Sequence, residues 1–168
     1  MPPATDRAIR ELLCGCFPSD AEAYARSRAW HDSAPEFTVL ARHEDQIVGH
    51  LAIVVRSVLC GDLRLTVAGV QSFCVAVGHR GTGLARQLMG RALGEARRRA
   101  IPFGLLFCVP ELTALYHALG WSRTDRSVVM RDRHGKRVPI PAKNVCMSVR
   151  LGDERLPSGP LDLQGRDW

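Results

Sequence analysis

The segment from Val70 to Arg99 constrains this chain more than any other. Val70-Gln71-Ser72-Phe73-Cys74-Val75-Ala76-Val77 has the apolar character of a buried strand and runs directly into the turn Gly78-His79-Arg80-Gly81-Thr82-Gly83. The period then changes. Between Gly83 and Arg99, Leu84, Ala85, Leu88, Met89, Ala92, Leu93 and Ala96 fall on one half of a helical wheel, and Arg86, Gln87, Arg91, Arg97 and Arg98 on the other. A strand that turns tightly into an amphipathic helix must bury the helix's apolar side on the sheet, which restricts the chain to layered α and β architectures. The turn also has a chemical consequence. The first amides of a helix lack intrahelical acceptors, the dipole favours an anion, and glycines let backbone approach a ligand, so a pyrophosphate fits there. The same glycines would also serve a turn with no ligand. Neither the Lys-Ser/Thr of a P-loop nor the spacing of a G-x-G-x-x-G fingerprint is present.

The flanking sequence fills in the layers. Asp6 to Phe17 and Asp20 to Trp30 read as short helices separated by Pro18, with Ser19 or Asp20 as cap. Glu36 to Arg42 and Ile47 to Leu59 form an expected hairpin, Gly61-Asp62 turns into Leu63 to Val67, and Gly69 allows a kink before the strand Val70 to Val77. After Pro102 come a buried strand, Phe103 to Val109, and a short helix, Leu112 to Leu119, ended by Gly120. Ser127 to Met130 and Asn144 to Leu151 look like a final strand pair joined through His134-Gly135, Pro139 and Pro141. This order indicates an α/β (α+β) sandwich, a single domain over residues 1–168 with 152–168 as a C-terminal tail.

Composition removes other classes. With 46% apolar residues in 168 the chain can fill one core, and 23 basic against 17 acidic residues leave +6, which suits an anionic ligand or a solvated basic surface. The uncharged stretch Leu65 to His79 is shorter than the roughly 20 residues of a membrane helix. Asp6, Arg7, Arg10 and Glu11 interrupt the start before any signal-like run, so a cytoplasmic chain that spans no membrane is expected. The six cysteines make no C-x-x-C pair, so no metal site is expected, and no aromatic and basic interleaving suggests nucleic acid.

Arg80-Gly81-Thr82-Gly83-Leu84-Ala85 matches every fixed position of the acyl-CoA signature Q/R-x-x-G-x-G/A, and Leu115-Tyr116-His117-Ala118-Leu119-Gly120-Trp121 follows the pattern L-Y-x-x-x-G-F/W. On these motifs the chain resembles the GCN5-related N-acetyltransferase (GNAT) superfamily over Phe37 to Leu151. The resemblance implies a mixed, mostly antiparallel sheet splayed between its fourth and fifth strands, Val70 to Val77 and Phe103 to Val109, with helices on both faces and acetyl-CoA in the cleft. It also implies that Arg80 to Ala85 hold the pyrophosphate and that Val75 and Val77 pair with the pantetheine arm. The Phe73 backbone N–H becomes the oxyanion donor where that strand bulges, and Tyr116 the acid that protonates the leaving thiolate.

Within the superfamily the chain looks most like the aminoglycoside 2'-N-acetyltransferases, on which Arg56 to Gly81 can be laid without a gap; a nodulation acyltransferase, moving a longer acyl chain onto an amino sugar, is a weaker likeness. The implied reaction is direct acetyl transfer to a primary amine of a small molecule, such as an aminoglycoside or amino sugar, with a homodimer admitted as the assembly. Two departures stand out. The closer family's proposed general base, a Glu, is Gln71 here, and the Asn that many relatives place six residues before the tyrosine is Pro110. Gln71 cannot be a base but could hold a water that carries the proton outward. The departures also feed an alternative, a non-catalytic or partner-binding relative. Asp20 matches an acidic amine-binding residue or caps a helix. In the tail, Leu161 and Leu163 alternate and Trp168 is costly in water, so a folded-back tail would place Asp167, Trp168 and a terminal carboxylate as an acidic wall of the acceptor site. Cys74 and Cys108, on the splayed strands, allow an acyl-cysteine route but lack an evident activator. Arg97-Arg98-Arg99 either meets the CoA 3'-phosphate or is a solvated run.

Overall fold

Strands β1 (Phe37–His43), β2 (Gln46–Cys60) and β3 (Leu63–Val75) form an antiparallel meander in the computed structural model, which describes residues 1–168. Ile47 to Val54 of β2 are buried without alternation because the strand is covered on both faces. Helix α1 (Pro3–Cys16) lays Ile9 and Leu13 on one side, with Tyr24 of α2 (Ala21–Arg26) beside them. Helix α3 (Leu84–Arg98) lays Leu88, Met89, Ala92, Leu93 and Ala96 on the other, the side the wheel pattern indicated. Gly49 permits this approach, since a Cβ there would stand 2.7 Å from Leu88.

The sheet opens where the resemblance implied, with one change in strand count. The strands expected at Leu63 to Val67 and Val70 to Val77 are one continuous strand, so the splayed pair is β3 and β4 (Phe103–Cys108). They run parallel through Val67↔Phe103, Ala68↔Gly104 and Gly69↔Leu105 and then separate. Gly69 makes no kink; it gives room to the indole of Trp168, which would meet an added Cβ at 2.2 Å. The irregularity in β3 lies further on, at Ser72 (φ 51°), where Ser72 and Phe73 oppose the single residue Leu51 of β2. Phe73 and Tyr116 of α4 (Thr113–Ala118) pack with ring centroids 6.3 Å apart at the open end.

The expected final strand pair does not form. Strand β6 (Val128–Arg131) makes its hairpin with β7 (Arg137–Pro139), its turn fixed by the Asp132 carboxylate, which accepts the amides of His134 (2.8 Å) and Lys136 (2.9 Å). Strand β8 (Val145–Arg150) instead pairs with β4 and with β5 (Ser122–Thr124). The tail returns to the sheet: β9 (Leu161–Asp162) pairs antiparallel with β2 and parallel with β6. Asp162 is clasped by Arg131 (3.0 Å) and Arg137 (3.2 Å), and Leu161, Leu163 and Trp168 enter a core with Val58, Val67 and Leu105. No helix is long and apolar enough to cross a membrane.

Candidate active site

Two cavities meet at the splay. The first, about 660 Å³, lies along the end of β3 and the start of α3. Phe73, Val75, Arg80, Gly81, Gly83, Leu84 and Ala85, all named above from the resemblance, line it. Gly81 (φ 77°) and Gly83 (φ 81°) take left-handed conformations, and no surrounding chain atom lies within 4 Å of a Cβ built on either. The six successive amides from Gly81 to Arg86 find no acceptor within the chain, and Arg80 and Arg86 add positive charge around them. This open, cationic cradle of donors suits a pyrophosphate.

Two expected members of the groove stand elsewhere. Val77 has left the strand for a turn, and its carbonyl accepts the Arg80 amide at 3.2 Å, so it cannot extend a strand edge for the pantetheine arm. Thr82 is not in the groove lining; its hydroxyl closes the turn on the His79 carbonyl at 2.8 Å. Arg97 to Arg99 end α3 away from the turn, where Arg99 binds Glu95 (2.7 Å) and Glu36 (3.1 Å) and covers the Phe37 ring.

The second cavity, about 610 Å³, lies across the splay, and Phe17, Phe73, Leu112 and Tyr116 belong to both walls. Asp20, Asp167 and Trp168 all line it. The Asp20 carboxylate makes no capping bond to α2 and is left to the cavity. Aromatic faces of Tyr24, Trp30 and Phe107 complete much of the surface. The Asp167 carboxylate is not free: Oδ1 lies 2.5 Å from Nδ1 of His31. His31 also faces this cavity, and nothing in its sequence surroundings marks it out.

At the junction, Tyr116 is buried, and desolvation pushes its phenol above the usual tyrosine range, so the proton stays on oxygen. The bulge is held by a residue that sequence reasoning missed. Fully buried His50 donates from Nδ1 to the Ser72 carbonyl at 2.7 Å, while the Ser72 hydroxyl pairs with Tyr24 at 3.0 Å. Because that peptide is planar and trans, fixing the Ser72 carbonyl aims the Phe73 N–H in the opposite direction. Burial lowers His50 to about 4, so it is neutral at pH 7.

Gln71 lines neither cavity. It is buried rather than on a solvated face, its Nε2 donates to the Ser33 carbonyl at 3.0 Å, and its Oε1 has no partner. Cys74 and Cys108 each face a cavity, but burial raises both thiols and neither has a base beside it.

A family model described as an acetyltransferase (GNAT) domain matches residues 4–124. Among solved structures, the GNAT family N-acetyltransferase YhbS of Escherichia coli, in complex with CoA, is similar with TM-score 0.71 and 20% identity over 97% of this chain and 86% of that one. A GNAT acetyltransferase of Brucella melitensis with acetyl-CoA gives TM-score 0.61 and 18% identity over 96% and 90%. An aminoglycoside 6'-N-acetyltransferase complexed with coenzyme A gives 0.63 and 13% over 92% and 94%.

Proposed function

The chain belongs to the GNAT acetyltransferase family, and from that premise we propose that it moves acetyl from acetyl-CoA to a primary amine of a small molecule, by direct transfer with both held at once. The observation that carries this is the shared wall: a donor groove and an acceptor cavity on opposite sides of the splay have Phe73 and Tyr116 in common. The protonated thiols of Cys74 and Cys108 weigh against a covalent acyl-enzyme. The whole chain acts as one acyltransferase domain in this reading, and its six free cysteines suit a cytoplasmic protein.

Acetyl-CoA supplies an activated thioester carbonyl. The Gly81 to Arg86 amides hold its diphosphate, and Val75, whose carbonyl already accepts Arg80 Nε at 3.1 Å, can offer the arm no more than its amide. The Phe73 N–H, aimed through Ser72 and His50, hydrogen-bonds the acetyl oxygen as charge develops on it. Tyr116 donates its phenolic proton to the departing sulfur. On the acceptor side Asp20 attracts an ammonium, and the rings of Trp30, Phe107 and Trp168 suit a flat or sugar-like body, so aminoglycosides and amino sugars lead the candidates, with arylalkylamines next.

Calorimetric titration of acetyl-CoA, followed by free-thiol release with kanamycin, glucosamine, spermidine and tryptamine, tests the proposal. Micromolar binding and turnover of at least one amine are expected. Binding without turnover of any amine favours a non-catalytic relative, no binding rejects both readings, and preference for decanoyl-CoA would make the enzyme a long-chain acyltransferase.

A further inference from the structure

We infer that His31, oriented by Asp167, is the base that takes the proton from the acceptor ammonium; the inference rests on the acyl-transfer reading above. A base is needed because an alkylammonium has no lone pair to attack a carbonyl. Gln71, where the aminoglycoside 2'-N-acetyltransferase resemblance implied a carboxylate base, cannot serve: it turns to Ser33 and lines neither cavity. Within the acceptor cavity the side chains that can hold or release a proton are Asp20, Tyr24, His31, Cys108, Tyr116, Lys143 and Asp167. Lysine, phenol and thiol are protonated near neutrality, and an imidazole is a stronger base than a carboxylate.

The geometry supports the choice. The Asp167 carboxylate is buried and stands 2.5 Å from His31 Nδ1, so in the neutral ring it accepts Nδ1–H and leaves the lone pair on Nε2. The ring's hydrogen bond within the chain is the one through Nδ1, and Nε2 makes none. The ring packs at a tilt of 33° against Trp30, with centroids 4.5 Å apart. Its backbone is left-handed (φ 47°), as is that of Asp32 (φ 60°), a region uncommon outside glycine that His and Asp enter more readily than most residues. The tail end of the dyad is equally fixed. Ser33 Oγ donates to the Asp167 carbonyl at 3.3 Å, and Arg56 bonds the Arg166 carbonyl and stacks on Trp168 at 5.1 Å. Asp167 is thus a positioning residue, and His31 the group that meets the substrate.

The protons balance. Nε2 takes one proton from the ammonium; the freed lone pair forms the C–N bond while the C–S bond breaks and its electrons stay on sulfur. Tyr116 gives its proton to that sulfur and recovers one from the second N–H, and the imidazolium returns its proton to solvent. Ammonium and thioester become amide, thiol and one released proton. The charged and titratable groups that share the cavity with the dyad are Asp20 before α2, Tyr24 on α2, Cys108 on β4, Tyr116 on α4 and Lys143 before β8, and Arg56 on β2 lies close enough to Asp167 to feel its charge.

His31→Asn is the test. Asparagine tolerates the left-handed backbone and its amide can still donate to Asp167, but it cannot accept the proton. With kanamycin, glucosamine, spermidine and tryptamine as acceptors at saturating acetyl-CoA, kcat/KM at pH 7 should fall roughly hundredfold or more. The deficit should shrink as pH approaches the amine's own pKa, and acetyl-CoA affinity by calorimetry should not change. Imidazole ¹⁵N NMR of the unliganded protein should show His31 as the Nδ1–H tautomer, with that preference lost in Asp167→Asn. Wild-type turnover in His31→Asn, a deficit constant with pH, or an Nε2–H tautomer overturns the inference. If the wild type binds acetyl-CoA but acetylates none of the amines, the acyl-transfer reading fails separately and the tautomer alone decides the dyad.

Discussion

Tyr116 shows how burial suits a side chain to one proton transfer. Desolvation raises the phenol and keeps it protonated, so at neutral pH it waits as a proton donor. Tyr116→Phe should therefore lower turnover roughly ten- to thousandfold while acetyl-CoA affinity stays within about twofold, as read by steady-state kinetics and calorimetry. Unchanged turnover would remove the acid role. Tyr116 and the glycines were legible because each sits in a short local pattern. His31 and His50 were not, because their meaning comes from Asp167 and Ser72, which are 136 and 22 residues away in the chain. Gln71 was legible as a departure from a family pattern but not as a residue turned toward Ser33, since no local rule sets the partner of a buried amide.

At the scale of elements, the strand, turn and helix from β3 to α3 form a unit whose chemistry is in its backbone. Gly83, at the start of α3, needs φ 81° and open space above it. A valine there meets both demands badly: its branched Cβ disfavours the left-handed region, and its methyl groups occupy the space a diphosphate needs. Gly83→Val should weaken acetyl-CoA binding at least tenfold by calorimetry while the melting temperature falls only a few degrees, of the order of one residue's left-handed penalty. Equal affinity in the two proteins would place the diphosphate elsewhere. Helix α3 was readable from its 3.6-residue period, and β2 from its apolar run. The partners of β6 and β8 were not, because hydrophobic pattern fixes which side of a strand is buried and leaves open which strand lies beside it.

The whole molecule is closed by its tail. Trp168 covers Gly69, packs against Phe107 with ring centroids 5.4 Å apart, and lines the acceptor cavity, so core packing and acceptor binding share one side chain. Trp168→Ala should cost about 3–5 kcal/mol, lowering the melting temperature by roughly 10 °C, and should raise the amine KM while acetyl-CoA affinity is kept. A variant with wild-type melting and KM would show the indole to be dispensable. The parting of β3 from β4 after three residue pairs has one more consequence. Each strand keeps a neighbour on its far side but presents an unpaired edge to the gap, the kind of template on which chains add to one another and aggregate. Here the two templates face each other across the splay, with Phe73 and Tyr116 packed at its open end and Trp168 of the tail packed on Phe107 of β4, so neither lies at the rim of the sheet. A gap that would be a hazard at the rim of a sheet is thereby kept away from other chains while remaining open to small molecules.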